Sequence, residues 1–137
     1  MPTLETDFVK GILDPKDRLH ASCQRALAKV RRGEWNVASS ALVELDLLLK
    51  HGGVGADERS TIFETLSAEI PKETLRGVVH TTLSVAATLQ SRHRDARHFY
   101  FDSIHLAVAL EGDGKIVSSD RYFEHVRGVT RIPLEGV

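Results

Sequence analysis

Phe101-Asp102-Ser103-Ile104-His105-Leu106-Ala107-Val108-Ala109, followed after a turn by Gly114-Lys115-Ile116-Val117-Ser118-Ser119-Asp120-Arg121-Tyr122-Phe123, decides the fold. The first segment is an apolar helix opened by an acid. Gly112-Asp113-Gly114 then turns the chain, and Lys115 to Ser118 reads as a buried strand rich in β-branched residues. Asp120 falls just past the end of that strand. A helix feeding a short buried strand is the repeating step of an α/β sheet with helices on both faces.

Working outward, the same alternation continues. Upstream, Leu75 to His80 is a candidate strand, followed by a helix over about 83–90. Pro71 bounds a helix predicted over 57–70. His51-Gly52-Gly53 ends another over 41–50, which Ser39 or Ser40 can cap, and Trp35 to Ala38 is short and strand-like. Asp14-Pro15 reads as a helix start, opening a helix over 16–32 with Leu19, Cys23, Ala26, Leu27 and Val30 on one face and Gly33 at its end. Leu4 to Ile12 is the candidate first strand, with Asp7 near its end. Downstream, a helical turn holds Tyr122 to Val126, and Val129 to Pro133 makes a last strand. The expected architecture is therefore a three-layer α/β/α sandwich with a four- to five-stranded, mainly parallel sheet, its crossovers right-handed.

No repeat, low-complexity tract or long linker interrupts residues 1–137, so one domain is expected. With 42% hydrophobic and 27% charged residues, the composition excludes a disordered chain. Cys23 is the one cysteine, so an intrachain disulfide is excluded, and its apolar neighbours predict a buried, inert thiol. No apolar run reaches the roughly 18–20 residues that span a bilayer, and Met1-Pro2-Thr3-Leu4-Glu5 lacks the order of a signal peptide. A cytoplasmic address is the expectation by elimination. The net charge of −1 does not by itself favour nucleic acid, but Arg92, His93, Arg94, Arg97 and His98 form a basic run leading into Asp102.

In open parallel sheets ligands bind beyond the carboxyl ends of the strands. Four acids are expected on that rim: Asp7, Glu44, Asp102 and Asp120. Taken singly each has a plain structural role available: Asp102 as a helix cap, Asp120 as a turn residue, Glu44 on a solvated face. Together, unpaired carboxylates would repel unless a cation joined them. Mg²⁺ and Mn²⁺ prefer oxygen ligands and commonly take one or two carboxylates, keeping several waters.

The two segments quoted first, spanning about 99–133 with their flanks, resemble the C-terminal half of PIN domains, which include the toxin halves of VapBC toxin–antitoxin pairs. Ala38-Ser39-Ser40-Ala41-Leu42-Val43-Glu44-Leu45 is similar to the segment where that family carries a helix-borne glutamate, and Leu4-Glu5-Thr6-Asp7 to its first strand end. The resemblance implies four or five parallel strands and a Mg²⁺- or Mn²⁺-dependent ribonuclease. It implies Asp7, Glu44, Asp102 and Asp120 as metal-binding and catalytic acids, Ser118 as an auxiliary hydroxyl, and Phe123 as packing. A homodimer and a possible antitoxin partner come with it. Two positions depart from the family pattern. Val9 stands where a polar residue usually follows the first acid by two, and Tyr122 where a further aspartate usually precedes Phe123. Glu5 shares a strand face with Asp7, so it either supports Asp7 or substitutes for it.

RNA near such a site needs cations for its phosphates, and Arg92, Arg94, Arg97 and Arg121 are the candidates, with Tyr100 as a stacking surface. The reaction expected is in-line hydrolysis of a phosphodiester. His105 is read as a core residue, which argues against a metal-free acid–base ribonuclease. Two other functions share the architecture: a non-catalytic PIN-fold RNA- or protein-binding module, and a metal-dependent phosphatase acting on small phosphoesters.

Overall fold

The computed structural model describes residues 1–93 and 99–137. Its sheet has five strands, all parallel, in the order β3-β2-β1-β4-β5. They are β1 (Thr3–Leu4), β2 (Asn36–Ala38), β3 (Leu75–Arg76), β4 (Lys115–Ser118) and β5 (Thr130–Pro133). Six α-helices accompany them among the described residues: α1 (Thr6–Leu13), α2 (His20–Arg31), α3 (Ser39–His51), α4 (Ala56–Glu69), α5 (His80–Arg92) and α6 (Phe99–Glu111). None is long and apolar enough to cross a membrane.

Neighbouring residues of a strand serve opposite layers, as the pleat requires. Val117 packs with Leu4, Phe8, Val9, Leu27 and Val37 in a cluster completed by α1 to α4. Ile116 faces the other way, into Leu106, Ala109 and Phe123, under α6 and Leu89 of α5. Phe123 is thus the packing residue expected of it. Leu4 pairs in register with Val37 on one side and Val117 on the other, so β1 is the centre of the sheet.

The N-terminal segment differs from its sequence expectation. The strand ends at Leu4, and Thr6–Leu13 is helix rather than strand. Glu5 makes the change, because its carboxylate accepts a hydrogen bond from the Asp7 N–H at 3.1 Å and caps α1. Phe8 and Val9 are buried on the helix. Gly11 lets α1 approach α2, since a Cβ there would lie 2.3 Å from Cys23 Sγ. Cys23 is buried as expected, and burial, ahead of the charges of Asp17, Asp7 and Glu5, pushes its thiol up to about 12. The helix expected from residue 16 begins at His20. Asp14 and Asp17 each bind an N–H two residues on, closing turns before it starts. Neither Ser39 nor Ser40 caps α3, because Ser40 turns its hydroxyl to His105 instead. β3 is cut to two residues and α5 begins at His80.

Candidate metal centre

From β1 the chain passes outward to β2 and β3, then returns to β4 on the opposite side of β1 and continues to β5. The β1–β4 junction is therefore the topological switch point, where the connecting segments diverge and leave a crevice beyond the strand ends. Glu5 follows β1 directly and Asp120 lies two residues past β4. Asp7 is in the first turn of α1, Asp102 in the first turn of α6, and Glu44 on α3.

Glu5 is buried and its Oε1 has no hydrogen-bond partner. Burial, then the charge of Asp7, raises its carboxyl to about 8 despite hydrogen bonds from Ser118 and the Asp7 backbone, with Asp102 adding to the rise. Asp102 is pushed to about 6, first by burial. His105 opposes the shift, while Glu44, Asp120 and Asp7 reinforce it. Glu44 behaves differently. Burial acts to raise it, but hydrogen bonds from His105 and Thr6, with the charge of Lys10, hold it below the usual carboxylate range.

Glu44, Asp102 and His105 each present one ligand atom within 4.8 Å of the other two. Asp7 and Asp120 stand farther out. Asp7 Oδ2 accepts a hydrogen bond from Ser119 Oγ, and Asp120 Oδ1 accepts from the Tyr122 N–H at 2.8 Å. Ser118 is buried, and its hydroxyl accepts the Asp120 N–H at 2.9 Å, tying the loop after β4 to the strand end.

The chain is similar in structure to a chain of FitAB, solved bound to an IR36 DNA fragment. The two are 11% identical, with a TM-score of 0.72 over 98% of this chain and 96% of that one. The fold is PIN-like. No protein-family model matches the sequence, and no curated protein matches it. Glu5 directly follows β1 and Asp7 lies in the first turn of α1, so both acids stand at the strand end where the sequence placed the first site acid.

The residues present fit a hard divalent cation. Glu44 and Asp102 offer carboxylate oxygens within 4.8 Å of each other, and Glu5 adds a buried oxygen with no protein donor nearby in the crevice. Among the candidate RNA contacts, Arg92 is exposed at the end of α5 and Arg121 is exposed beside Asp120, whereas Arg94, Arg97 and His98 lie outside the described residues. Tyr100 is exposed. Glu5 was weighed in the sequence as a support of or substitute for Asp7 on a shared strand face, which the α1 helix replaces. Two further features escaped the sequence reading. Lys10 is exposed on α1, with its charge acting on Glu44. His105 is buried as expected, yet it bonds to the site. The spacings Asp102/His105 and Ser40/Glu44, each about one helical turn, were the available signal.

Proposed function

We propose that the chain is a divalent-metal-dependent ribonuclease, an endonuclease on single-stranded or structured RNA, and the toxin of a toxin–antitoxin pair. The observation that carries this reading is the convergence of Glu44 and Asp102 at the switch point of a PIN-like sheet, with Glu5, a buried carboxylate whose oxygen is unpartnered, near enough to feel the charge of Asp102. A scaffold protein gains nothing from such repulsion.

Glu5, Glu44 and Asp102 would hold Mg²⁺ or Mn²⁺, with Asp7 and Asp120 completing the acidic set on the outer rim. When bound, the cation supplies charge stabilisation at the phosphodiester oxygens and lowers the pKa of an attacking water. Asp120, whose Oδ1 is fixed by the Tyr122 N–H, uses its other oxygen to orient the water in line with the scissile bond. Ser118 keeps Asp120 in place through the hydrogen bond to its N–H. Arg92, Arg121 and Lys10, joined by Arg94 and Arg97, neutralise the RNA backbone. Tyr100 offers a face for a base. The similarity to a FitAB chain supports an antitoxin protein as partner, and a homodimer, a single domain over 1–137 and a cytoplasmic address belong to the same reading.

The test is cleavage of end-labelled single-stranded RNA in Mn²⁺, Mg²⁺ or EDTA, beside an Asp102→Asn/Asp120→Asn double variant. Cleavage that requires the metal and vanishes in the variant is expected. RNA binding without cleavage in any metal, equal in both proteins, would leave a binding module instead.

A further inference from the structure

α3 and α6 pack against each other, and His105 lies between them. There His105, with no exposed surface, sits among three oxygens from two other helices. Ser40 Oγ lies 2.7 Å from its Nδ1, while Thr6 Oγ1 and Glu44 Oε1 lie 3.1 and 3.3 Å from its Nε2. An ionised carboxylate only accepts, so Nε2 carries the hydrogen and donates toward Glu44. Nδ1 is then the acceptor, and this role gives the Ser40 hydroxyl the acceptor that it lacks elsewhere among the described residues. Ser40, donating to Nδ1, thereby stabilises the tautomer that faces Glu44.

Filling this seam with aliphatic side chains would remove three buried polar groups without loss of contact area, so packing does not call for the network. Its output is the orientation of Glu44. That residue is half-buried and has a long, flexible side chain, and its carboxylate must stay beside Asp102 to share a cation with it.

We infer that His105 is a positioning residue, locked by Ser40 as the Nε2–H tautomer, which holds the Glu44 carboxylate in its cation-receiving orientation without ligating the cation itself. The inference rests on the metal-dependent reading of the site. It also explains why His105 can fall within ligand range of Glu44 and Asp102 and yet leave the cation to oxygen ligands.

The tautomer can be read directly by NMR of the full chain carrying ¹⁵N-labelled imidazoles, first without metal and then with Mg²⁺ alone. A protonated Nε2 and unprotonated Nδ1 are expected in both states. A protonated Nδ1, or loss of the Nε2 proton on adding Mg²⁺, overturns the inference, the second result making His105 a ligand. Calorimetric titration with Mn²⁺ supplies the energetic arm. Ser40→Ala and His105→Ala should each weaken binding about tenfold or more, as loss of an outer partner of a metal ligand does. His105→Gln, whose amide reaches toward Glu44, should recover part of the loss, and the KM for RNA should stay within about twofold while kcat falls. Should the His105 variants fail to fold, Ser40→Ala still decides, since only a hydroxyl is removed. Wild-type Mn²⁺ affinity in a folded Ser40→Ala protein overturns the inference and leaves the nuclease reading standing. A wild-type chain that takes up neither Mg²⁺ nor Mn²⁺ overturns both.

Discussion

The floor of the site and its α3 wall treat a carboxylate in opposite ways. On the floor, Glu5 and Asp102 are taken out of water beside other acids and given few donors, so that they hold protons up to about 8 and about 6. On the wall, Glu44 is only half-buried and receives hydrogen bonds from His105 and Thr6, and it is held below the ordinary range. The protein thus keeps one carboxylate charged and oriented while leaving the other two short of positive partners. Without a cation, protons fill that gap. Under the proposed function, a metal would be gained on the floor, and the wall is the part built in advance.

The largest effect expected is on the floor. Asp102→Asn should lower metal-dependent RNA cleavage by about a hundredfold or more, since a cation held there contributes several kcal/mol to the transition state. Residual cleavage near wild type would move the centre away from α6. Next, Glu5→Gln should weaken Mn²⁺ binding in calorimetry by about 10- to 100-fold, and Asp7→Asn by clearly less, because Asp7 is already bonded to Ser119 on the outer rim. The reverse order would restore Asp7 as the principal N-terminal ligand.

The pH response of the metal-free protein sharpens the contrast further. The folded-state carboxyls of Glu5 and Asp102 lie above their ordinary values of 4.5 and 3.8, so the folded state binds more protons than the unfolded one between those values and about 8 and about 6. Their contribution to stability is full below the unfolded values and is lost as pH rises through the folded ones. In EDTA, Tm should therefore fall from about pH 5 to about pH 8, and Glu5→Gln should flatten the upper part of that slope. A Tm that rises across this window would contradict the account of the floor. The smallest effect concerns Lys10. Lys10→Ala should raise the KM for RNA only a few-fold and reduce its salt dependence, leaving kcat nearly unchanged.

How much of this was legible in the sequence varied along the chain, and the reasons are physical. β4 was read with its boundaries intact, because Ile116 and Val117 are bracketed by a glycine turn and a polar strand end. α6 was plain as an apolar helix, although it begins at Phe99, three residues before the expected start, and so carries Asp102 within its first turn rather than ahead of it. β1 was misread. Two strand residues run straight into an amphipathic helix, and Leu4, Phe8, Val9 and Ile12 are apolar in either conformation. What separates strand from helix is the Glu5 cap, a three-dimensional contact. The roles of His105 and Ser40 were hidden for a related reason. Helical periodicity reports that a side chain is buried but not that its partners lie 65 and 99 residues away. The acids at strand and helix ends, by contrast, follow from topology alone once β1 and β4 are neighbours.

The central claim is that the floor carboxylates exchange protons for a divalent cation. The most direct test is calorimetry of Mn²⁺ binding at pH 7 in two buffers of different ionisation enthalpy, which counts the protons released. With Glu5 held to about 8, wild type should release about one proton per cation, and Glu5→Gln should release almost none while binding more weakly. Binding without proton release, unchanged by Glu5→Gln, would contradict the account, as would a chain that binds no Mn²⁺ at all.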